Sequence, residues 1–315
     1  MRRTVVALLL SVSALPAFSG LSALEENELT WENFGPSVQE YNSALQDSIM
    51  AQDWWAVVDY ATLISYNFPT TPFAQEASFI LGEAYFKLGQ YEYANDAFTA
   101  YLNRASSPKH FEEAIHYKFT IAELFANGTK KRLFGSPKFP AWVPAKEDAI
   151  PIFDEVIAAL PHTDIAGKSL LEKARIQAHL ENYKPGIESL DLLIRRFPKT
   201  ELAAEAYLEK NKTLLLQCKA QDLDPDVLDL AEMNVRKFRL AFPRESRLAE
   251  AEDILAQMQE IFAQHLLDIG RFFEKTKKFP ASIIYYTKVL AKYPGTEASE
   301  TARQKLEVLQ AAGKF

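Results

Sequence analysis

With 315 residues, 48% of them hydrophobic, and a formal net charge of −7, the chain can build a large folded body, but its acidic balance excludes the basic surface a nucleic-acid partner needs. Its single cysteine, Cys218, excludes an internal disulfide, so packing has to supply the stability.

The first element is a leader. Arg2 and Arg3 precede an apolar and small run from Val5 to Leu15, then Pro16 and the small-residue sites Ala17-Phe18-Ser19 and Leu21-Ser22-Ala23, which together read as a secretory signal peptide over residues 1–23. Its apolar core is shorter than the roughly 20 residues needed to span a bilayer. Export without disulfides points to a periplasm. Residues 24–36 are polar and acidic and read as an extended lead-in.

Beyond the lead-in, Gly and Pro fall at expected helix ends and β-branched runs are scarce, which predicts an all-α chain. Helices stop repeatedly at an aromatic or Leu followed by Pro: Phe68-Pro69, Leu160-Pro161, Phe197-Pro198, Phe242-Pro243 and Tyr293-Pro294. Twelve positions before each Pro stands a compact residue (Val57, Ala149, Gly186, Ala231, Ser282), and the clearest copies add a small residue at twenty-four (Ala174, Gly270) and an aromatic at fifteen (Trp54, Tyr183, Phe279). Leu81-Gly82, Tyr85, Gly89, Tyr91, Ala94 and Phe98 carry the pattern nearly whole, with the terminal Pro displaced to Pro108. This is tetratricopeptide (TPR) grammar, which predicts a superhelical solenoid of about six antiparallel helix pairs.

The expected repeats cover residues 37–69, 72–106, 109–161, 164–198, 200–243 and 246–294, with a capping helix over 296–312. Asp53 is placed as an N-cap and Pro72 in a first helical turn. The third pair is interrupted between Asn127 and Pro144 by a stretch read as a loop, long enough to suggest a function. Its Lys130, Lys131, Arg132 and Lys138 are interleaved with Leu133, Phe134, Phe139 and Trp142, and Phe134, Phe139 and Trp142 are candidate contacts. In the sixth repeat the first helix is expected to run unbroken from about Ser246 to Glu274.

Reactive chemistry finds no support. Gly167-Lys168-Ser169 resembles the tail of a phosphate-binding loop, but His162 stands where the first Gly is required and no strand precedes it. The histidines His110, His116, His162, His179 and His265 never fall at the helical spacing of a zinc pair. Cys218, in the apolar run Leu214-Leu215-Leu216-Gln217-Cys218, reads as an inert core thiol. Glu112-Glu113 and the carboxylates between Glu250 and Asp253 read as solvated helix faces. No catalytic, cofactor or metal site is expected, and the chain is read as a non-enzymatic binder of proteins. In such a solenoid the first helix of each pair lines the concave face, which makes Phe79, Glu83, Phe86 and Lys87, then Lys168, Arg175 and His179, then Gln264, Arg271 and Lys275 the expected partner contacts. That groove reads as aromatic early and basic late.

The aromatic-Pro ends, the leader, the long insertion and the extended helix before the last pair together resemble the BamD family, TPR lipoproteins of the outer-membrane β-barrel assembly machine. The segment from about Asp53 to Pro161, with Leu133-Phe134-Gly135 in its insertion, is similar to the family's first three repeats. About Gln264 to Pro294, with Gly270, Phe273, Phe279, Tyr285, Tyr286 and Tyr293-Pro294, is similar to its last. The region from about Asp164 to Pro243 reads as extra repeat material. Family members normally carry a lipidated Cys just after the signal, and Leu21-Ser22-Ala23-Leu24 offers none, so the expectation is that the chain reaches the outer membrane through a membrane-embedded partner or stays soluble. The resemblance implies a scaffold, peripheral to the outer membrane, that binds β-barrel assembly subunits and unfolded outer-membrane protein segments. A periplasmic TPR adaptor for cell-wall synthesis or a secretion apparatus is the alternative.

Overall fold

The computed structural model describes residues 36–104, 107–132, 140–220 and 223–314. The expected leader, most of the lead-in, Phe134 and Phe139 lie outside these residues. Over the described residues the helices pair in order: α1 (Val38–Met50) with α2 (Trp54–Asn67), α3 (Pro72–Lys87) with α4 (Tyr91–Arg104), and α5 (Phe111–Ala126) with α6 (Ala149–Ala159). Then follow α7 (Asp164–His179) with α8 (Tyr183–Arg196), α9 (Glu201–Ala220) with α10 (Pro225–Ala241), α11 (Arg247–Lys275) with α12 (Phe279–Lys292), and α13 (Glu297–Ala311). The chain is an all-α solenoid of TPR type, and α11 runs unbroken as expected.

Two kinds of helix end alternate. The even helices α2, α6, α8, α10 and α12 stop at the residue before Pro: Phe68, Leu160, Phe197, Phe242 and Tyr293 each leave the helical region, with φ between −125° and −136° and ψ between 50° and 67°. Clash with the proline ring pushes the preceding residue out of the helical conformation. The carbonyl exposed there is then claimed by the residue three places on. Thr71, Thr163, Thr200 and Thr296 each donate a hydroxyl to it at 2.8 Å, and their backbone N–H groups reach the same oxygen at 3.0 to 3.3 Å. In the Phe242 corner Glu245 replaces the threonine and only its N–H reaches the carbonyl, at 3.2 Å. Thr71, Thr200 and Thr296 also accept an N–H from the first turn of the next helix, so one side chain ends one repeat and starts another.

Within repeats the turn is left-handed. Gln52, Gly89, Glu181 and Lys277 follow α1, α3, α7 and α11 with φ of 56°, 68°, 62° and 59°. The next N–H in each case bonds back into the last turn, as from Asp53 to Ser48 and from Gln90 to Tyr85. Three of these four positions carry a side chain despite a cost of about 1 kcal/mol each, which the surrounding packing offsets.

The core is a succession of apolar clusters between neighbouring helices, from α1–α3 at one end to α11–α13 at the other. The compact residues of the sequence pattern, Val57, Ala149, Gly186, Ala231 and Ser282, are all buried. Polar ties reinforce the joints. Lys118 to Thr99 at 2.5 Å, Lys173 to Asp154 at 2.5 Å and Lys210 to Asp191 at 2.6 Å each link an odd helix to the even helix before it, always across 19 residues. Lys118 is fully buried and its charge is met by Glu155 at 2.9 Å and Asn95 at 2.7 Å, as burial of a cation requires.

The insertion in the third pair is not simply a loop. Lys130–Arg132 (β1) and Ala141–Pro144 (β2) form an antiparallel ribbon whose register slips between Lys131 and Arg132. An Arg132 N–H bonded to Glu92 at 2.9 Å, its guanidinium bonded to Gln90 at 2.8 Å, and Lys131 paired with Asp148 at 2.7 Å tie the ribbon down.

Two substitutions test these joints by chemical denaturation of the full chain. Thr71→Val keeps shape but removes the hydroxyl from Phe68 and Ala74, and should cost about 1 kcal/mol. Gly82→Val places a Cβ 2.6 Å from the Phe98 ring. The gain in helix propensity over Gly is at most about 1 kcal/mol, whereas overpacking costs about 1–3 kcal/mol, so net destabilisation is expected.

Candidate partner-binding surface

The odd helices form one wall. α5, α7, α9 and α11 each pack on the next odd helix, whereas among the described residues no two even helices pack comparably, so the odd row is the inner side of the stack. Side chains that bridge successive odd helices define its surface.

Glu76 on α3 meets His110 at 3.1 Å, and His110 also meets Glu113 at 2.8 Å. Farther along, Glu83 accepts a hydrogen bond from Tyr117 at 3.0 Å. Glu123 on α5 lies near Lys168 and Glu172 on α7. Arg175 on α7 donates to Glu172 at 2.6 Å, to Glu205 at 2.5 Å and to Glu209 at 3.4 Å, and Lys212 on α9 reaches Glu250 on α11 at 3.0 Å. Carboxylates therefore outnumber cations along this wall.

The electrostatics follow. Burial, with the nearby Glu113 charge adding to it, raises the Glu83 carboxyl above its usual range even though Tyr117 donates to it. Burial and then Glu172 raise Glu123. The Tyr117 phenol is pushed up to about 12 by burial and by Glu83. For Arg175 burial opposes the charge, but the hydrogen bonds it donates to Glu205 and Glu172 prevail and hold its proton more firmly than usual.

Several expected contacts sit elsewhere than predicted. Phe79 is only 4% exposed: its ring stacks on His110 at 4.4 Å and touches Phe98 and Tyr101, because α5 closes over it. It is a core residue. Phe86 is half-buried, held edge-on by Tyr91 and Tyr117. Arg175 is spent on three carboxylates, so the groove is not basic there. Lys168 pairs with Asp164 at 2.7 Å, and Gln264 and Arg271 both bond Asp268. Lys87, His179 and Lys275 are exposed, and Trp142 on the ribbon is 69% exposed. An open depression on α5, about 230 Å³ and lined by Glu113, His116, Tyr117 and Thr120, lies between the early contacts.

Sequence reasoning missed the acidic stripe. Glu205 and Glu209 are one helical turn apart, and that spacing was the available signal, but only the stack shows that both face Arg175. Cys218 is buried in α9, which drives its thiol up to about 11 and leaves it unreactive. Among the described residues no group of His, Cys, Asp and Glu could hold a metal ion, and no helix is long and apolar enough to cross a membrane.

A family model described as YfiO, outer membrane lipoprotein, matches residues 144–314, and a tetratricopeptide repeat model matches residues 76–107. The bounds of the first match enclose residues 164–243, the region expected as extra repeat material. No curated protein matches the chain. Among solved structures, a TPR repeats protein from Bacteroides fragilis is 10% identical over 71% of this chain and 100% of its own, with a TM-score of 0.49. A tetratricopeptide repeat protein from Parabacteroides merdae is 14% identical over 88% of this chain and 100% of its own, with a TM-score of 0.35.

Glu83 gives a pH test. Its folded-state pKa is raised, so the fold binds this proton more tightly than the unfolded chain, and its contribution to stability grows as pH falls through that window. Glu83→Gln should raise the thermal midpoint at neutral pH, with the gain vanishing in acid once the native carboxyl is protonated.

Proposed function

Because the chain belongs to the YfiO, or BamD, family of outer membrane lipoproteins, whose model spans more than half of it, we propose that it is a periplasmic scaffold that assists assembly and insertion of β-barrel proteins into the outer membrane. Coarsely it is a protein-interaction solenoid of TPR type. The observation that carries the finer reading is the inner wall, where Glu83, Glu113, Tyr117 and Glu123 stand along α3 and α5 beside the depression on α5.

An unfolded client segment laid along that wall would meet carboxylates held in place by their own neighbours, so stretches with lysine or arginine beside aromatics are favoured. Ordering a flexible client costs free energy, which keeps such contacts reversible. Nothing in this role calls for a reacting group, and the function is non-covalent. The outer membrane is reached by holding a membrane-embedded partner.

Co-purification of the detergent-solubilised protein tests the reading. A β-barrel assembly subunit in the eluate is the expected outcome, and recovery of cell-wall enzymes or a secretion ring in its place would overturn it. Glu113→Lys, at an exposed rim position, should reduce client recovery several-fold at low salt, while losing the His110 bond and the favourable charge in the first turn of α5 should lower stability by no more than about 1 kcal/mol.

A further inference from the structure

On the outer side of the stack, α8 and α10 flank a groove of about 410 Å³ floored by α9. Leu230 and Met233 on α10 line it at 41% and 42% exposure, and Leu240 continues the stripe at 79%. These three lie along one face of the helix, so the apolar surface is a line and not scattered single residues. Asp191 in the groove is already engaged by Lys210 at 2.6 Å. Arg195 and Lys237 line the same groove and have no ion-pair or hydrogen-bond partner among the described residues.

The groove in the corresponding position between α4 and α6 has the opposite character. It is lined by Glu92, Asp96, Asp148 and Glu155, and Lys131, its one lining cation, is tied to Asp148. A positive apolar groove on a chain of net charge −7 is therefore a local departure and not a property of the whole surface.

We propose that the α8–α10 groove docks an amphipathic helix of a protein partner, whose apolar stripe seats against Leu230, Met233 and Leu240 and whose flanking carboxylates pair with Arg195 and Lys237. The linear spacing on α10 suits anchors repeated at i, i+3 or i+4, and i+7 on the incoming helix. The flexible Met233 side chain adapts to their shape. The free cations set orientation and exclude partners with basic flanks. The surface is separate from the inner wall, so both can be occupied together.

The test uses the full chain and a fluorescein-labelled synthetic helical peptide with a leucine stripe flanked by glutamates, read by fluorescence anisotropy. Saturable binding that weakens with added salt is expected, together with a loss of roughly tenfold or more in Leu230→Asp/Met233→Asp. Arg195→Glu/Lys237→Glu should weaken the same peptide comparably, and its far-ultraviolet circular dichroism serves as the check on folding. Equal binding to wild type and both variants, or no binding at about 100 µM peptide, would overturn the proposal. So would sedimentation showing a dimer of the wild type that the Leu230→Asp/Met233→Asp variant dissolves, since the groove's occupant would then be a second copy.

Discussion

The stack depends on what happens to one backbone carbonyl at the end of five of the six even helices. Proline removes the next N–H and forces the preceding aromatic or Leu out of the helix, so that residue's C=O would be left without a helical partner. The threonine three positions later satisfies it twice, through hydroxyl and amide, in four of the five corners. Because three of these threonines also cap the following helix, short-range hydrogen bonds help to fix the angle between repeats. That arrangement suits a fold in which each unit touches mainly its neighbours.

Side chains then differentiate the two walls. On the outer side, a lysine from each of α5, α7 and α9 reaches back 19 residues to the preceding even helix, a geometric consequence of stacking at a constant offset. On the inner side, successive odd helices approach closely enough for Glu76, Glu83, Arg175 and Lys212 to bridge them. Charge spent on bridging is no longer free for a partner, which is why Arg175 belongs to the scaffold, while Glu113 at the rim bonds only His110 and leaves most of its side chain exposed. Farther along, a buried Asn211–Asn234 bond at 2.8 Å, extended to the Tyr207 and Ala251 carbonyls, ties α9, α10 and α11 together.

The far end of the stack closes by a related device. The Glu260 carboxylate on α11 accepts the N–H groups of Glu297 and Ala298 at 2.8 and 3.0 Å, placing negative charge at the α13 N-terminus where the helix dipole favours it. Glu274 near the other end of α11 pairs with Lys305 at 3.2 Å and accepts from Tyr286 at 2.6 Å. The unusual length of α11 gives α13 a rail with a contact at each end, so the cap is held along its length.

The sequence by itself determined the helices, their ends and the family, because these rest on local chemistry: Pro after Phe68 or Tyr293 stops a helix wherever it occurs, Asp53 caps α2 from three residues away, and compact residues twelve before Pro mark where helices touch. The threonine at the third position is equally local chemistry. Tertiary structure alone decided which side chains remain free. Phe79 looks like an exposed groove aromatic until the start of α5 lays His110 over it, Arg175 looks like a free cation until α9 brings up Glu205 and Glu209, and the ribbon in the third pair is anchored where Arg132 meets Gln90 and Glu92 some forty residues earlier. Exposure and pairing depend on the distance between groups far apart in the chain, and a repeat's period fixes their order without fixing that distance.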